Sequence, residues 1–137
     1  MSKNSLTGRC LCGAVEFAFA ADGIEHPSVC HCSQCRRWSG HQWSSLNAPL
    51  GALKFTKGER DVKWYRASDY ARRGFCGECG ASLFWHADGL EEHKEKIAVA
   101  LGSLDAPTGI KLEEHIFVAG KGDYYDIADG LPQKETY

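Results

Sequence analysis

Two close pairs of cysteines lie far apart in the chain, Cys10-x-Cys12 and Cys76-x-x-Cys79, and a glycine follows each, at Gly13 and Gly80. Each pair can occupy two corners of a tetrahedron, so together they form the four-sulfur set of a structural zinc. A chain stapled in this way has to bring its N-terminal strand to its middle. Glycine beside the sulfurs, including Gly77 inside the second pair, lets a knuckle turn sharply and aim backbone N–H groups at them. No such site exists in an unfolded chain, so the binding energy of the ion counts as folding energy. A thioredoxin-like redox use of Cys76-x-x-Cys79 would need βαβ surroundings, which the flanking sequence lacks.

The other three of the seven cysteines are packed into Cys30-His31-Cys32-Ser33-Gln34-Cys35, which runs on into Arg36-Arg37-Trp38-Ser39-Gly40. Thiolates this close repel one another unless they share a cation, and zinc is the usual partner of such ligands. Three protein ligands are one short of a closed structural site, whereas catalytic zinc sites keep the fourth position for water or substrate. Two alternatives stand beside an open site. A ligand from elsewhere could close it, such as a bridging Cys10 or Cys76 or one of His41, His86 and His115. Or the three thiols could be buried without metal. His31 lies between two ligands, where its side chain points away from theirs, and it is discounted as a ligand.

An odd cysteine count argues against a secreted disulfide framework, and Met1 to Arg9 contains no apolar stretch of the signal-peptide kind. The expectation is a reduced, cytoplasmic protein. A net charge of -2 shows no bias toward polyanions, and the pairs Arg36-Arg37 and Arg72-Arg73 are too small to make a nucleic-acid surface. The longest apolar run, Ile97 to Leu101, is too short to span a bilayer. Neither a nucleic acid nor a membrane is therefore expected as partner. The 137 residues fit one domain, expected over residues 1–137.

Val15, Phe17 and Phe19 alternate with smaller or polar residues, the period of a strand with one buried face. Residues 27–31 read as extended, and Ser33 as the cap of a short helical turn over 34–38 that Gly40 ends. Strands are expected at 41–47, 72–75, 82–86, 97–101 and 114–119, with a turn at 48–51. Residues 53–55 and 62–65 suggest a hairpin about Lys57-Gly58-Glu59. Residues 1–9 read as a polar lead and 120–137 as irregular. No long segment has helical period, so the class is mainly β, with short strands and no βαβ rhythm.

Several motifs occur in a fixed order along the chain. Gly8-x-Cys10-x-Cys12-Gly13-Ala14-Val15 is followed by Cys30-His31-Cys32-Ser33-x-Cys35-Arg36-Arg37-x-Ser39-Gly40 and Phe75-Cys76-x-x-Cys79-Gly80. Leu83-Phe84, Gly102-Ser103-Leu104-Asp105, His115-Ile116-Phe117 and Asp129-Gly130-Leu131-Pro132 come after them. Through these motifs the chain resembles the glutathione-dependent formaldehyde-activating enzyme family, whose animal relatives include centromere protein V. The likeness covers about residues 8–132 and takes in all seven cysteines. It implies a β-tent-like fold of antiparallel sheets stapled by zinc, with two zinc ions per chain. One is a structural zinc on Cys10, Cys12, Cys76 and Cys79; the other is a looser, catalytic zinc on Cys30, Cys32 and Cys35. It also implies an activity that joins glutathione and formaldehyde to S-(hydroxymethyl)glutathione, formally a carbon–sulfur lyase run in reverse. The partners would be a glutathione-like thiol and a small aldehyde. Nothing here matches the long basic, proline-rich N-terminal extension of centromere protein V, so a chromosomal or microtubule role is not expected.

Three thiolates would leave a zinc unit net negative, which suits thiol capture better than the making of hydroxide. Arg36, directly after the last ligand, is the candidate to steady the product oxygen or a substrate carboxylate, with Arg37, Arg72 and Arg73 as alternatives. Trp38 and Trp43 read either as core aromatics or as walls of a cleft. The competing reading is a non-catalytic zinc module for metal handling or protein contact. A methionine sulfoxide reductase is set aside, because it needs a nucleophilic cysteine outside the structural set and the only others sit in the triple.

Overall fold

The structure is a computed structural model and describes residues 5–137. The described residues form ten short strands and one α-helix, with short 3-10 turns between them. In chain order these are β1 (Ser5–Arg9), β2 (Glu16–Ala20), β3 (Glu25–Cys30), α1 (Ser33–Ser39), β4 (Trp43–Pro49) and β5 (Lys54–Lys57). Then come β6 (Val62–Arg66), β7 (Arg72–Cys76), β8 (Ser82–His86), β9 (Lys96–Ala100) and β10 (Glu114–Ile116). Strands β1, β2 and β5 form a three-stranded sheet, and the other seven form a second sheet in the order β10-β3-β4-β9-β8-β7-β6. All pairings are antiparallel except β10 with β3, which run parallel. The mainly β expectation therefore holds, with one parallel pair inside otherwise antiparallel sheets.

The two sheets face each other across the main core. Leu6 of β1 and Phe17 and Phe19 of β2 meet Leu46, Leu83, Phe84, Ile97 and Val99 of the large sheet. Phe17 and Phe84 pack edge to face at 5.1 Å between ring centroids, and Phe55 meets Phe84 the same way at 5.7 Å. The β2 alternation read from the sequence is the cause: it presents Phe17 and Phe19 to one side only. Gly8 on the neighbouring strand leaves room for the Phe17 ring, since a Cβ there would lie 2.6 Å from it.

The large sheet is covered on its other face as well, and β9 shows how. Ile97 and Val99 enter the main core, while Ala98 and Ala100 join a second cluster with Cys35 and Trp43. Successive side chains of a strand point to opposite faces. Small alanines on that face let the short helix α1 sit close to the sheet. Both covered faces explain why four of the five β9 residues are buried.

Four local expectations are corrected. The lead before Cys10 contains β1, because Leu6 finds a buried place opposite Phe19 that its polar neighbours do not announce; residues 1–4 of that lead lie outside the described residues. Residues 53–55 and 62–65 do not form a hairpin. β5 pairs with β2 and β6 with β7, so the Gly58 turn carries the chain from one sheet to the other. The turn at 48–51 begins later, since β4 runs to Pro49 before a 3-10 turn over Leu50–Ala52. Finally, β10 stops at Ile116, where Phe117 takes a left-handed conformation (φ 54°, ψ 40°) and starts a 3-10 turn, Val118–Gly120.

Candidate metal centres

Gly13 (φ 81°) and Gly80 (φ 80°) close two similar knuckles in the left-handed conformation that the sequence required of them. Their amides bond back to the carbonyls of Cys10 and Cys76 at 3.3 and 2.8 Å. The knuckles face each other, and the four sulfurs of Cys10, Cys12, Cys76 and Cys79 lie within 4.8 Å of one another. Across the pair, Cys12 Sγ is 3.9 Å from Cys76 Sγ. Backbone N–H groups aim inward: Val15 N donates to Cys10 Sγ at 3.3 Å, and Glu78 N donates to Cys76 Sγ at 3.3 Å. Such donors stabilise thiolates, so the set fits a tetrahedral thiolate-bound ion such as zinc. Gly58 locks the region from below. A Cβ there would lie 1.8 Å from the Ala14 carbonyl oxygen, and its φ is +71°.

The second cluster grows out of the β3–α1 junction. Cys30 ends β3, Cys32 is the N-cap of α1, and Cys35 lies in the first turn of the helix. The cap is a sulfur, not the Ser33 hydroxyl that the sequence suggested: Cys32 Sγ accepts from Cys35 N at 3.3 Å. Gly40 (φ 90°) ends the helix as expected, its amide bonded to Arg36 O. The three sulfurs lie within 4.8 Å of one another, and among the described residues no fourth Cys, His, Asp or Glu joins them. The other four cysteines are held in the first cluster, so none closes this one.

The cluster as it stands carries a conflict that a cation resolves. Hydrogen bonds from the Cys30 and Cys35 thiols, then the N–H groups of Cys35 and Gln34, hold Cys32 down at about 2. Hydrogen bonding to Cys32 and Cys35, followed by burial, pushes Cys30 far up. Three sulfurs this close can keep only one negative charge among themselves near neutral pH. A divalent ion allows all three to be thiolates, which is the chemical sense in which the donor set fits a metal.

The histidines that the sequence offered as extra ligands all point elsewhere. His41 Nδ1 meets Tyr124 Oη at 2.9 Å, and His86 Nε2 donates to Lys94 O at 2.8 Å. His31 is fully buried, on the side away from the sulfurs, as its place between two ligands predicted. It belongs to a chain of hydrogen bonds: Asp129 Oδ2 to His115 Nε2 (2.8 Å), His115 Nδ1 to His31 Nε2 (2.8 Å), and His31 Nδ1 to Tyr125 Oη (2.6 Å). Burial first, then the neighbouring His115, pushes His31 down to about 4, so it stays neutral. The carboxylate can only accept, so with neutral rings each imidazole donates toward Asp129 and Tyr125 donates to His31. This chain holds the segment after β10 against the cysteine triple. Gly120 packs on Cys32, where a Cβ would lie 3.3 Å from Cys32 Cα. Tyr125 and Gly120 were not singled out from the sequence, since nothing in that irregular stretch marks them.

The arginines separate clearly. Arg36 Nε donates to Gly120 O at 3.2 Å, and among the described residues Arg36 makes no hydrogen bond to a sulfur. Arg37 is exposed. Arg72 lies 4.1 Å over the Trp64 ring and bonds to His86 Nδ1. Arg73, its neighbour on β7, projects to the opposite face and reaches Cys35 Sγ with both terminal nitrogens, at 3.8 and 3.9 Å. Trp43 is buried in the cluster with Cys35, and Trp38 and Trp85 pack against its edge. An open cleft of about 550 Å³ is lined by Trp43 together with Arg9, Ser39, Gln42, Ala100 and Asp105.

The comparison with known proteins agrees with this architecture. The sequence profile described as glutathione-dependent formaldehyde-activating enzyme matches residues 5–120. An uncharacterized lyase of Schizosaccharomyces pombe is 28% identical over 129 residues, covering 89% of this chain and 85% of that protein. A crystal structure of a Rhodobacter sphaeroides protein superposes with a TM-score of 0.56 at 25% identity, over 77% of this chain and 90% of that one. With a match that spans both cysteine knuckles, the cysteine triple and the strands that carry them, this chain belongs to the glutathione-dependent formaldehyde-activating enzyme family.

Proposed function

We propose that the protein is a zinc-dependent enzyme of the carbon–sulfur lyase type, acting on the adducts that small thiols form with small aldehydes. The observation that carries this reading is the contrast between the clusters: four sulfurs in one, and three in the other with no fourth ligand among the described residues. In this reading Cys10, Cys12, Cys76 and Cys79 hold a structural zinc, and Cys30, Cys32 and Cys35 hold a second. When bound there, the second ion supplies a free coordination position that keeps an incoming thiol in its nucleophilic thiolate form. A glutathione-like thiol and formaldehyde are the substrates that the family's description supports. The net reaction is RSH + HCHO ⇌ RSCH₂OH: a carbon–sulfur bond forms, and the thiol proton ends on the former carbonyl oxygen.

The chain's own residues orient the reactants. Arg36 stays the candidate for holding a substrate carboxylate or the product oxygen. Its Nε is tied to Gly120 O, and among the described residues its terminal nitrogens have no partner, so the fork is held in place but free to bind. Trp38 and Trp43 shield the sulfurs from water on the sheet side. All seven cysteines are free thiols, and the chemistry needs them reduced, which fits the cytoplasm. Residues 1–137 would work as a single zinc-stapled domain.

One observation favours the competing reading of a non-catalytic zinc module: Cys35 is only 4% exposed, and the segment through Gly120 covers Cys32. The test is exchange at equilibrium, because the uncatalysed addition is itself quick. Magnetisation transfer between free formaldehyde and S-(hydroxymethyl)glutathione should speed up with enzyme, and the gain should vanish in Cys35→Ser. No gain with glutathione or any other small thiol would establish the module instead.

A further inference from the structure

Arg73 is a buried cation without a carboxylate. It is 4% exposed, and among the described residues no Asp or Glu forms an ion pair with it. Its partners are Cys35 Sγ, Gln34 Oε1 at 3.2 Å and the face of Trp38, 4.9 Å from the guanidinium carbon. An amide oxygen and an aromatic face carry only partial charge. A buried guanidinium is costly unless a full negative charge answers it, and among the described residues the one candidate in contact is the Cys35 sulfur of the triple. Its placement follows from strand geometry. Arg72 and Arg73 are adjacent on β7, so one faces Trp64 and the other faces α1 and the cysteine triple.

We infer that Arg73 is a positioning residue of the triple-cysteine site: it is the built-in counter-ion of the sulfurs of Cys30, Cys32 and Cys35, and its fork orients Cys35 Sγ. The inference rests on the reading of that cluster as a metal site. Three thiolates and a divalent ion sum to one negative charge, and a single guanidinium brings the sum to zero. The fold is thus matched to a cluster that carries one negative charge, as three thiolates with a divalent ion do. With three neutral thiols it would instead bury an unanswered cation. N–H donors on a ligating sulfur also draw electron density from it, as outer partners of metal ligands generally tune them. Arg36, although next to the last cysteine in sequence, donates its Nε to Gly120 O and makes no hydrogen bond to a sulfur among the described residues.

The test compares wild type with Arg73→Met and Arg73→Lys, using zinc and cobalt ions as probes and chelator competition for affinity. In Arg73→Met the first ion should bind as in wild type, and the second at least about tenfold more weakly, the usual size of an outer-partner effect. Arg73→Lys should recover part of the loss, since it keeps the charge but not the fork. With cobalt in the second site, the thiolate-to-metal charge-transfer bands should move to lower energy in Arg73→Met as the sulfur loses its donors. A merely structural role would weaken both ions together and leave the bands of any remaining cobalt in place; that result would overturn the inference. Two ions held by Arg73→Met with wild-type affinities would also overturn it, leaving the metal reading intact. A wild-type protein that takes up only one ion would overturn both. Should the methionine variant not fold, the lysine variant decides: unchanged second-site affinity with unchanged bands refutes the role of the fork.

Discussion

Cutting the clip between the knuckles should cost far more stability than emptying the other cluster. The perturbations are matched double variants. Cys76→Ser with Cys79→Ser removes one fully buried and one half-buried sulfur, and so does Cys32→Ser with Cys35→Ser. In the first case an ion held by the four sulfurs would join Cys12 to Cys76 across 64 positions. By the loop-closure relation for cross-links, freeing a loop of that length returns about 4 kcal/mol of chain entropy to the unfolded state. In the second case the ligands span only Cys30 to Cys35, and the same relation gives about 2 kcal/mol at most. Even that smaller constraint is partly duplicated, because backbone hydrogen bonds such as Arg36 N to Cys32 O (3.0 Å) already hold the junction. Total stability in a domain of this size is only about 5–15 kcal/mol. The knuckle variant should therefore be mostly unfolded or barely stable, and the triple variant folded. Urea denaturation followed by circular dichroism, with zinc counted by elemental analysis, reads both. Equal midpoints for the two variants would refute the division into a structural and an open site.

Mild chelation should remove one ion and leave the circular dichroism spectrum unchanged, whereas exhaustive chelation should unfold the protein, because only an ion on the four-sulfur set would join distant parts of the chain. Gly58→Ala should destabilise by well over about 1 kcal/mol, since it adds a Cβ against the Ala14 carbonyl and forces a positive φ; a thermal melt measures the loss. Asp88 receives a two-pronged hydrogen bond from Arg66, at 2.8 and 2.7 Å, which holds its carboxyl at about 2, below the ordinary 3.8. A depressed carboxylate contributes stability above its unfolded value and loses it as the pH falls. Asp88→Asn should thus be slightly less stable than wild type at pH 7, with the difference fading between about pH 4 and pH 2; denaturation midpoints across that range provide the check.

Ligand chemistry is local and was legible early. C-x-C, C-x-x-C and C-x-C-x-x-C spacings can each put sulfurs within reach of one ion without any knowledge of the fold, and a glycine after a knuckle announces its left-handed turn. The division of seven cysteines into four and three followed from those spacings, and the geometry groups them the same way. The place of His31 was readable too, because adjacent side chains in extended backbone point apart. Strand period likewise exposed β2 and its buried phenylalanines. β1 was missed because its one inward leucine is a weak signal until Phe19 is seen opposite it.

What no spacing could reveal is pairing at long range. Which strand β5 and β6 would join depended on the two sheets meeting over Phe17 and Phe84, so a plausible local hairpin was discarded in favour of two separate edges. The sequence offered four arginines near the cysteines and favoured Arg36 for its adjacency. The fold ties Arg36 to the Gly120 carbonyl and also brings Arg73, 38 positions away, onto Cys35. The same holds for Tyr125, which reaches His31 across 94 positions. Metal ligands come as short motifs because several sulfurs must converge on one ion. The charges and hydrogen bonds around them need only be near in space, and only the packing of the sheets decides which residues those are.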